Sequence, residues 1–384
     1  MSNMNKHKKV YTRILALVFI ISILGIFFMN IFSKDKNFSE EENRMLAKKP
    51  KFSIDRLLEG RYTEKYEKYV EDQFVFRNSW IGVKSTVDKL LGRKEENGVF
   101  LSKDGYLIED FKKPEEKNLE ETIKAMNNFN EKYKGINQYV LIAPNAVSVL
   151  KDKLPKNAPV EDQRVYIEKL KSSLNSNIKF IDTYNALESH KDEYIYYRTD
   201  HHWTTLGAYY AFLDAAKEMG LTPKDNYYDI ETVTDEFYGT LYSKSGFKGI
   251  SPDSIEVYIP KDENDQVLVN YEEEKKKSGS IYNSEKLKEK DKYEVFLEGN
   301  HPLVKINTLV NNNKKLLLIK DSYANSFVQF LTPYFNEIVI VDPRYYYGDI
   351  DKLISEEGIT DLLYLYNANT FFSDNNIAPV LNNE

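Results

Sequence analysis

Two periodicities alternate along most of this chain. Apolar residues recur every three or four positions in NLEETIKAMNNFNEKYKG (118–135), VEDQRVYIEKLKSSLN (160–175), TTLGAYYAFLDAAKEMG (204–220), SYANSFVQFLTPYF (322–335) and DIDKLISEEG (349–358), which predicts helices. Short apolar runs lie between them: QYVLIAP (138–144), IKFIDTY (178–184), KLLLIKD (315–321), EIVIVD (337–342) and TDLLYLYN (360–367). These predict buried strands. Strands alternating with helices imply a mostly parallel sheet covered on both faces, an α/β fold. In such sheets, sites form at the carboxyl ends of the strands.

Three stretches depart from this rhythm. GVFLSKDGYLIED (98–110) predicts a β-hairpin that turns at Asp104-Gly105. YTEKYEKYVEDQFVFRNSWIGVKSTVDKLL (62–91) has mixed helical periodicity and predicts one or two helices near a membrane, after a polar stalk over 34–60. Residues 226–302 carry Gly-rich turns, a charge run (YEEEKKKSGS) and short β-like pieces such as SIEVYIP, which predicts a β-rich insertion.

The N-terminus sets the compartment. ILALVFIISILGIFFMNIF (14–32) is apolar except for Ser22 and Asn30, and Lys6, His7, Lys8, Lys9 and Arg13 precede it. About 20 apolar residues cross a bilayer, whereas a secretory h-region is shorter and ends at small residues. SKDKNFSEEE follows here, so an uncleaved signal anchor is expected. The basic flank then stays in the cytoplasm and everything after about residue 33 lies outside. The expected organisation is a basic tail and anchor (1–33), a stalk with a helical and hairpin region (34–112), and an α/β domain (113–384) interrupted at 226–302.

Composition narrows the chemistry. The 384 residues contain no cysteine, which removes disulfides, thiolate nucleophiles and cysteine metal sites. A cysteine-free exported chain fits a surface protein of a single-membrane bacterium. Removing the four Lys and Arg before Lys34 from the net charge of −7 leaves −11 outside, which disfavours nucleic acid. The 29 tyrosines fit both a sugar-handling protein and ordinary core and surface filling.

Candidate chemistry gathers in two places. In KLLLIKDSYANSF (315–327) an apolar strand ends at Asp321-Ser322 and a helix begins. Ser322 is either that helix's N-cap or a nucleophile beside helix N–H donors that suit an oxyanion. A serine nucleophile needs a base, and the base needs an orienting carboxylate. YIYYRTDHHWTTLGA (194–208) holds two of the five histidines. The spacing Asp200-x-His202 suits a carboxylate–imidazole hydrogen bond within one loop. His201 then points elsewhere, and Trp203 is either core or pocket wall. A metal site competes, with Asp200, His201, His202 and His301 as ligands. Adjacent histidines rarely face one ion, however, and no HExxH is present, so no metal or cofactor is expected.

TDHHWTTLGA, with a downstream DSY, resembles the signature of the DHHW family of bacterial surface proteins. That family is similar to the alginate O-acetyltransferase group of the SGNH hydrolase-like superfamily. SEEENRMLAKKP (39–50), EDQFVFRNSW (71–80), GVFLSKDGYLIED and LEGNHPLVKI (297–306) agree with it. The resemblance implies a circularly permuted three-layer SGNH-like domain, because the D-x-H precedes the serine strand instead of closing the chain. It also implies that Asn367, at the end of the third strand, donates to the oxyanion together with the Ser322 N–H. Asn369 is the runner-up, and the usual G-x-N-D text is absent. Tyr323 and Arg344 are further candidates for lining the pocket. His301, in GNHP (299–302), is either substrate-facing or part of a turn.

The function this implies is serine-dependent O-acetyl transfer to a cell-surface or secreted polysaccharide, with Ser322 as nucleophile, His202 as base and Asp200 orienting it. A multi-pass membrane acyltransferase would supply the acyl group. The alternatives are a carbohydrate acetylesterase of the same fold and a non-catalytic polysaccharide-binding scaffold.

Overall fold

The computed structural model describes residues 2–39, 44–262 and 265–383. Residues 40–43, in the expected stalk and the SEEENRMLAKKP piece, and residues 263–264, in the expected insertion, lie outside these. The chain forms two compact units, Met1–Gly92 and Arg93–Glu384.

In the first unit, helix α1 (Ser2–Phe32) contains a 23-residue stretch, Val10–Phe32, long and apolar enough to cross a membrane. The predicted 62–91 region forms two helices, α2 (Arg61–Gln73) and α3 (Arg77–Leu90).

The second unit starts earlier than expected. The hairpin pairs Val99–Leu101 with Leu107–Glu109, and Asp104 and Gly105 both adopt positive φ at its turn. Its Tyr106, Ile108 and Phe111 are buried in the main core, and the Leu107 N–H bonds the Arg198 carbonyl at 2.7 Å. The division therefore falls after residue 92 and not at 112.

Helices α4 (Glu116–Lys132), α5 (Gln163–Ser173) and α6 (Thr205–Met219) alternate with strands β1 (Asn137–Ala143) and β2 (Ile178–Ile181). Strands β3 (Tyr228–Phe237) and β4 (Asp253–Pro260) form a separate antiparallel ribbon. After β5 (Val267–Tyr271), β6 (Lys276–Ser278) and β7 (Leu303–Thr308) come β8 (Lys315–Lys320), α7 (Tyr323–Phe327), β9 (Glu337–Val341), α8 (Ile350–Glu357) and β10 (Asp361–Asn367). The main sheet has the order β6-β5-β7-β9-β8-β10-β1-β2. The run from β9 to β2 is parallel, and β7, β5 and β6 extend it antiparallel at one edge. Every residue of β9 and β10 is buried, as strands covered on both faces require. Part of the predicted insertion thus completes the sheet.

One predicted helix is shorter than its pattern. In 322–335 the α-helix stops at Phe327 and a 3₁₀ turn, Val328–Phe330, follows. The Gln329 side chain donates to the Ser326 carbonyl, and Pro333, which lacks an N–H, bars a longer helix.

Candidate active site

The nucleophile candidate sits where β8 meets α7. Asp321 is fully buried and accepts from the Tyr323 N–H (2.9 Å), the Asn367 N–H (2.9 Å) and the Asn367 amide (2.6 Å). Its carboxylate therefore turns the chain into α7, and the Ser322 hydroxyl makes no capping bond. That removes the N-cap reading of Ser322. Burial pushes the Asp321 carboxyl up to about 6.

The base comes from a short closed loop. Tyr196 bridges Trp203, and the Tyr197 N–H reaches the His202 carbonyl at 3.3 Å. Asp200 and His202 lie at the tip. His202 Nδ1 is 2.6 Å from Asp200 Oδ1, and His202 Nε2 is 2.8 Å from Ser322 Oγ. Asp200 Oδ1 also accepts the His202 N–H at 3.0 Å, while Oδ2 accepts from the Thr240 N–H (2.8 Å) and hydroxyl (2.9 Å). An acceptor with both oxygens filled stays ionised and keeps the His202 proton on Nδ1, so Nε2 presents its lone pair to Ser322. Burial alone would raise the Asp200 carboxyl, but the neighbouring His201 and His202 outweigh it and hold it well below the carboxylate range. Burial, reinforced by His201, pushes His202 down to about 4.

Four further residues build this arrangement, all from 226–302. Asp253, fully buried at the start of β4, accepts from the Arg198 N–H (2.8 Å), the Thr199 N–H (2.7 Å) and the Thr199 hydroxyl (2.5 Å). Thr240 fixes the outer oxygen of Asp200 and bonds His201 Nδ1 at 2.7 Å. Gly239 has no alternative, because a Cβ there would lie 2.2 Å from that of Asp200. Tyr293 lies against the His202 ring, and its hydroxyl donates to the Ser322 carbonyl at 3.1 Å and lies 3.1 Å from Ser326 Oγ, whose hydroxyl can donate back. No local spacing signals these partners, since the chain returns to the loop only after 40 residues or more.

The other predicted residues sort by burial. Trp203 and Tyr323 are fully buried. The Trp203 indole donates to the Tyr323 carbonyl (3.0 Å) and Ser326 Oγ (3.1 Å), tying the Asp–His loop to α7. The Tyr323 hydroxyl bonds the His201 carbonyl and Asn145. Asn367 is not free to hold an oxyanion: its amide donates to Asp321 and to Thr370 Oγ1 (2.7 Å), and its oxygen caps the following helix. Asn369 donates to Glu109 and to the Asp110 carbonyl. The Ser322 N–H is engaged by no hydrogen bond of the described residues. His301 pairs with Glu274 at 2.6 Å and packs on Tyr271, with no contact to the Asp200–His202–Ser322 group. Arg344 stays beside the site. Its Nε and one terminal nitrogen grip Asp342 at 2.8 and 2.6 Å, and its charge reaches both His202 and Asp321.

Asp200, His201 and His202 bring three potential metal ligands within 4.8 Å of one another. Asp200, both ring nitrogens of His202 and His201 Nδ1 are engaged in hydrogen bonds with each other, with Thr240 and with Ser322.

A mostly parallel sheet with serine at the carboxyl end of a central strand, and its Asp–His pair supplied from upstream, makes this a mixed α/β structure of SGNH-like fold. Residues 105–341 match the family described as DHHW protein, and the chain belongs to that family. It is similar to a DHHW family protein from Eubacterium siraeum DSM 15702, with 28% identity over 76% of this chain and 96% of that one and a TM-score of 0.65. Bacillus cereus PatB1 shares the fold at 20% identity, over 71% of this chain and 97% of that one, with a TM-score of 0.61. The O-acetyltransferase domain of Pseudomonas putida AlgJ aligns at 17% identity over 75% of this chain and 99% of that one, with a TM-score of 0.46. No curated protein matches the chain.

Proposed function

We propose that this protein is an extracytoplasmic serine-dependent O-acetyltransferase whose acceptor is a hydroxyl of a cell-surface or secreted polysaccharide. The observation that carries the reading is the continuous relay from Asp200 through His202 to Ser322, with Asp321 capping α7 and leaving the serine hydroxyl to the imidazole. Ser322 Oγ attacks the acetyl carbonyl while His202 Nε2 takes its proton. The Ser322 N–H steadies the oxyanion, and the leaving group departs with the proton from His202. His202 then deprotonates the acceptor hydroxyl, which attacks the acetyl-serine and releases Ser322. Arg344, beside the relay and one-quarter exposed, would meet the acceptor. The apolar helix α1 supports a membrane anchor, and the basic residues before it favour a second unit outside; a multi-pass membrane acyltransferase would supply the acyl group.

The test is to incubate the full chain in detergent with a chromogenic acetyl ester, quench, and map acetyl groups by peptide mass spectrometry, with His202→Ala in parallel. Acetyl on Ser322 that requires His202 is the expected result. Adding glycan acceptors then shows whether the label moves to sugar or to water. Absence of both adduct and ester turnover from the wild-type chain, alone and with a membrane fraction from its source, would overturn the catalytic reading.

A further inference from the structure

Helix α3 carries an apolar face that no other described residue covers. Phe76, just before it, and Trp80, Val83, Val87, Leu90 and Leu91 are all large, apolar and exposed, with Trp80 at 47% and Leu90 at 82%. At 100° per residue these six fall within an arc of about 100°, one continuous stripe. The helix and its C-terminal flank, RNSWIGVKSTVDKLLGRK (77–94), contain Arg77, Lys84, Lys89, Arg93 and Lys94 against a single acid, Asp88. A cationic helix with one aromatic and aliphatic face suits an anionic lipid surface.

Two hydrogen bonds say where that surface is. The Val75 N–H donates to Asn30 Oδ1, in the last turn of α1, at 2.9 Å. The Val75 carbonyl accepts from the Trp80 indole at 3.2 Å. One residue therefore links the tryptophan of the stripe to the end of the apolar span, the depth at which tryptophan concentrates in membrane proteins. Lys34, Lys36 and Arg77 line a cleft at the same junction, the depth of the headgroup phosphates when α1 spans a bilayer.

We propose that α3 lies in the bilayer interface with its Phe76–Leu91 stripe among the acyl chains and its cations at the headgroup phosphates. The proposal rests on α1 being a membrane span. It makes the segment after the anchor a second membrane attachment and not a free stalk.

The chain has only two tryptophans, and Trp203 is fully buried, so Trp80 reports on the helix. The full chain is reconstituted in phosphatidylglycerol–phosphatidylcholine vesicles with acyl chains brominated near the headgroup. Floated protein is read by tryptophan emission, alongside Trp80→Phe and the pair Leu90→Glu with Leu91→Glu. The expected result is loss of the Trp80 share of the emission in brominated vesicles, no loss in Trp80→Phe, and a weaker loss in the double variant. Protein that floats but loses emission only to aqueous acrylamide overturns the helix placement alone. Protection of Trp80 from both quenchers also overturns it and points to a protein covering the face. A chain that fails to float overturns the span and the helix placement together.

Discussion

The ring of Tyr293 lies flat on the imidazole of His202, with centroids 3.8 Å apart and planes 13° from parallel. The stack leaves His202 one orientation, and the Tyr293 hydroxyl ties it to the backbone of Ser322. A positioning role separates ring from hydroxyl. Tyr293→Phe keeps the stack and is expected to lose a few-fold in kcat, whereas Tyr293→Ala frees the imidazole and is expected to lose roughly 10²-fold, the scale of a misplaced catalytic group. KM for a small acetyl ester should change little in either. Equal losses in the two variants, or a loss carried by KM, would contradict the role.

Asp200→Asn tests the relay itself. An amide cannot satisfy both the His202 Nδ1–H and the two Thr240 donors, because one of its ends must present hydrogens to them. The favoured tautomer of His202 is lost, and kcat should fall by roughly 10⁴-fold, as expected when a triad carboxylate becomes an amide. The acetyl-serine should form too slowly to trap, while binding of unreactive glycan is unchanged. Near-normal turnover would remove Asp200 from the mechanism.

Gly239 sets the sharpest steric limit at the site. Alanine there would place its Cβ 2.2 Å from the Cβ and 2.4 Å from Oδ2 of Asp200, so the loop must move. Overpacking of this kind costs about 1–3 kcal/mol, and the displaced carboxylate should take most of the activity with it. Gly279→Ala is the control, because nothing lies within 4 Å of its Cβ. Thermal unfolding and ester turnover of the two variants should diverge, and equal behaviour would show that the loop has room to spare.

The relay was largely legible in the sequence, and its support was not. Asp200 and His202 stand two apart, and Ser322 ends an apolar strand, so local spacing exposes all three. Asp253, Thr240 and Tyr293 come from 226–302, where the pattern has no clear period; two of them reach the loop across 40 and 54 residues. The same limit applies to Asp321-Ser322: two adjacent polar residues can each cap a helix, and only the fold shows that Asp321 turns back. Asn367 occupies a strand end that fits an oxyanion donor, yet its hydrogens are spent on Asp321 and Thr370. Buried aromatic residues are ambiguous similarly: Trp203 reads equally as core or pocket wall, and Tyr323, read as a pocket residue, is fully buried.

The pH dependence follows from His202. Its imidazole is pushed down to about 4, so it is neutral and competent as a base through the neutral range. With an unreactive-to-hydroxide ester, kcat/KM should be flat from about pH 5.5 to 8 and fall as pH drops through about 4, not through the ordinary histidine value near 6.5. The sign for stability is the same. A histidine whose folded value lies below its unfolded value binds fewer protons when folded, so stability declines as pH falls from about 6.5 toward about 4. Asp321, raised to about 6, acts oppositely: its contribution is full below the unfolded value near 3.9 and is lost as pH rises through about 6. Comparison with His202→Gln isolates the histidine part. An activity midpoint near 6.5 would show that the imidazole is solvated in the working enzyme.

Beneath the site, Lys320 is 2% exposed and ends the serine strand. Its ammonium donates to Asn300 Oδ1 (2.8 Å) and Asn325 Oδ1 (2.9 Å) and faces Asp342 at 3.4 Å. Burial pulls its pKa down, and Asp342 works against that. Asp342 also holds Arg344, so Lys320 and Arg344 share one buried carboxylate. Removing one partner of a buried ion pair costs about 3–5 kcal/mol, because the remaining charge and polar oxygens stay desolvated. Lys320→Met should therefore lower the unfolding midpoint strongly. It should also free the loop at 299–300, which Asn325 and Lys320 hold, and loosen Arg344. Turnover of a small ester, which needs only the relay, should survive at temperatures where the variant is folded. Transfer to a glycan acceptor should weaken through KM, because it depends on where Arg344 points. A variant that loses ester turnover and acceptor transfer in equal measure would show instead that Lys320 supports Ser322 directly.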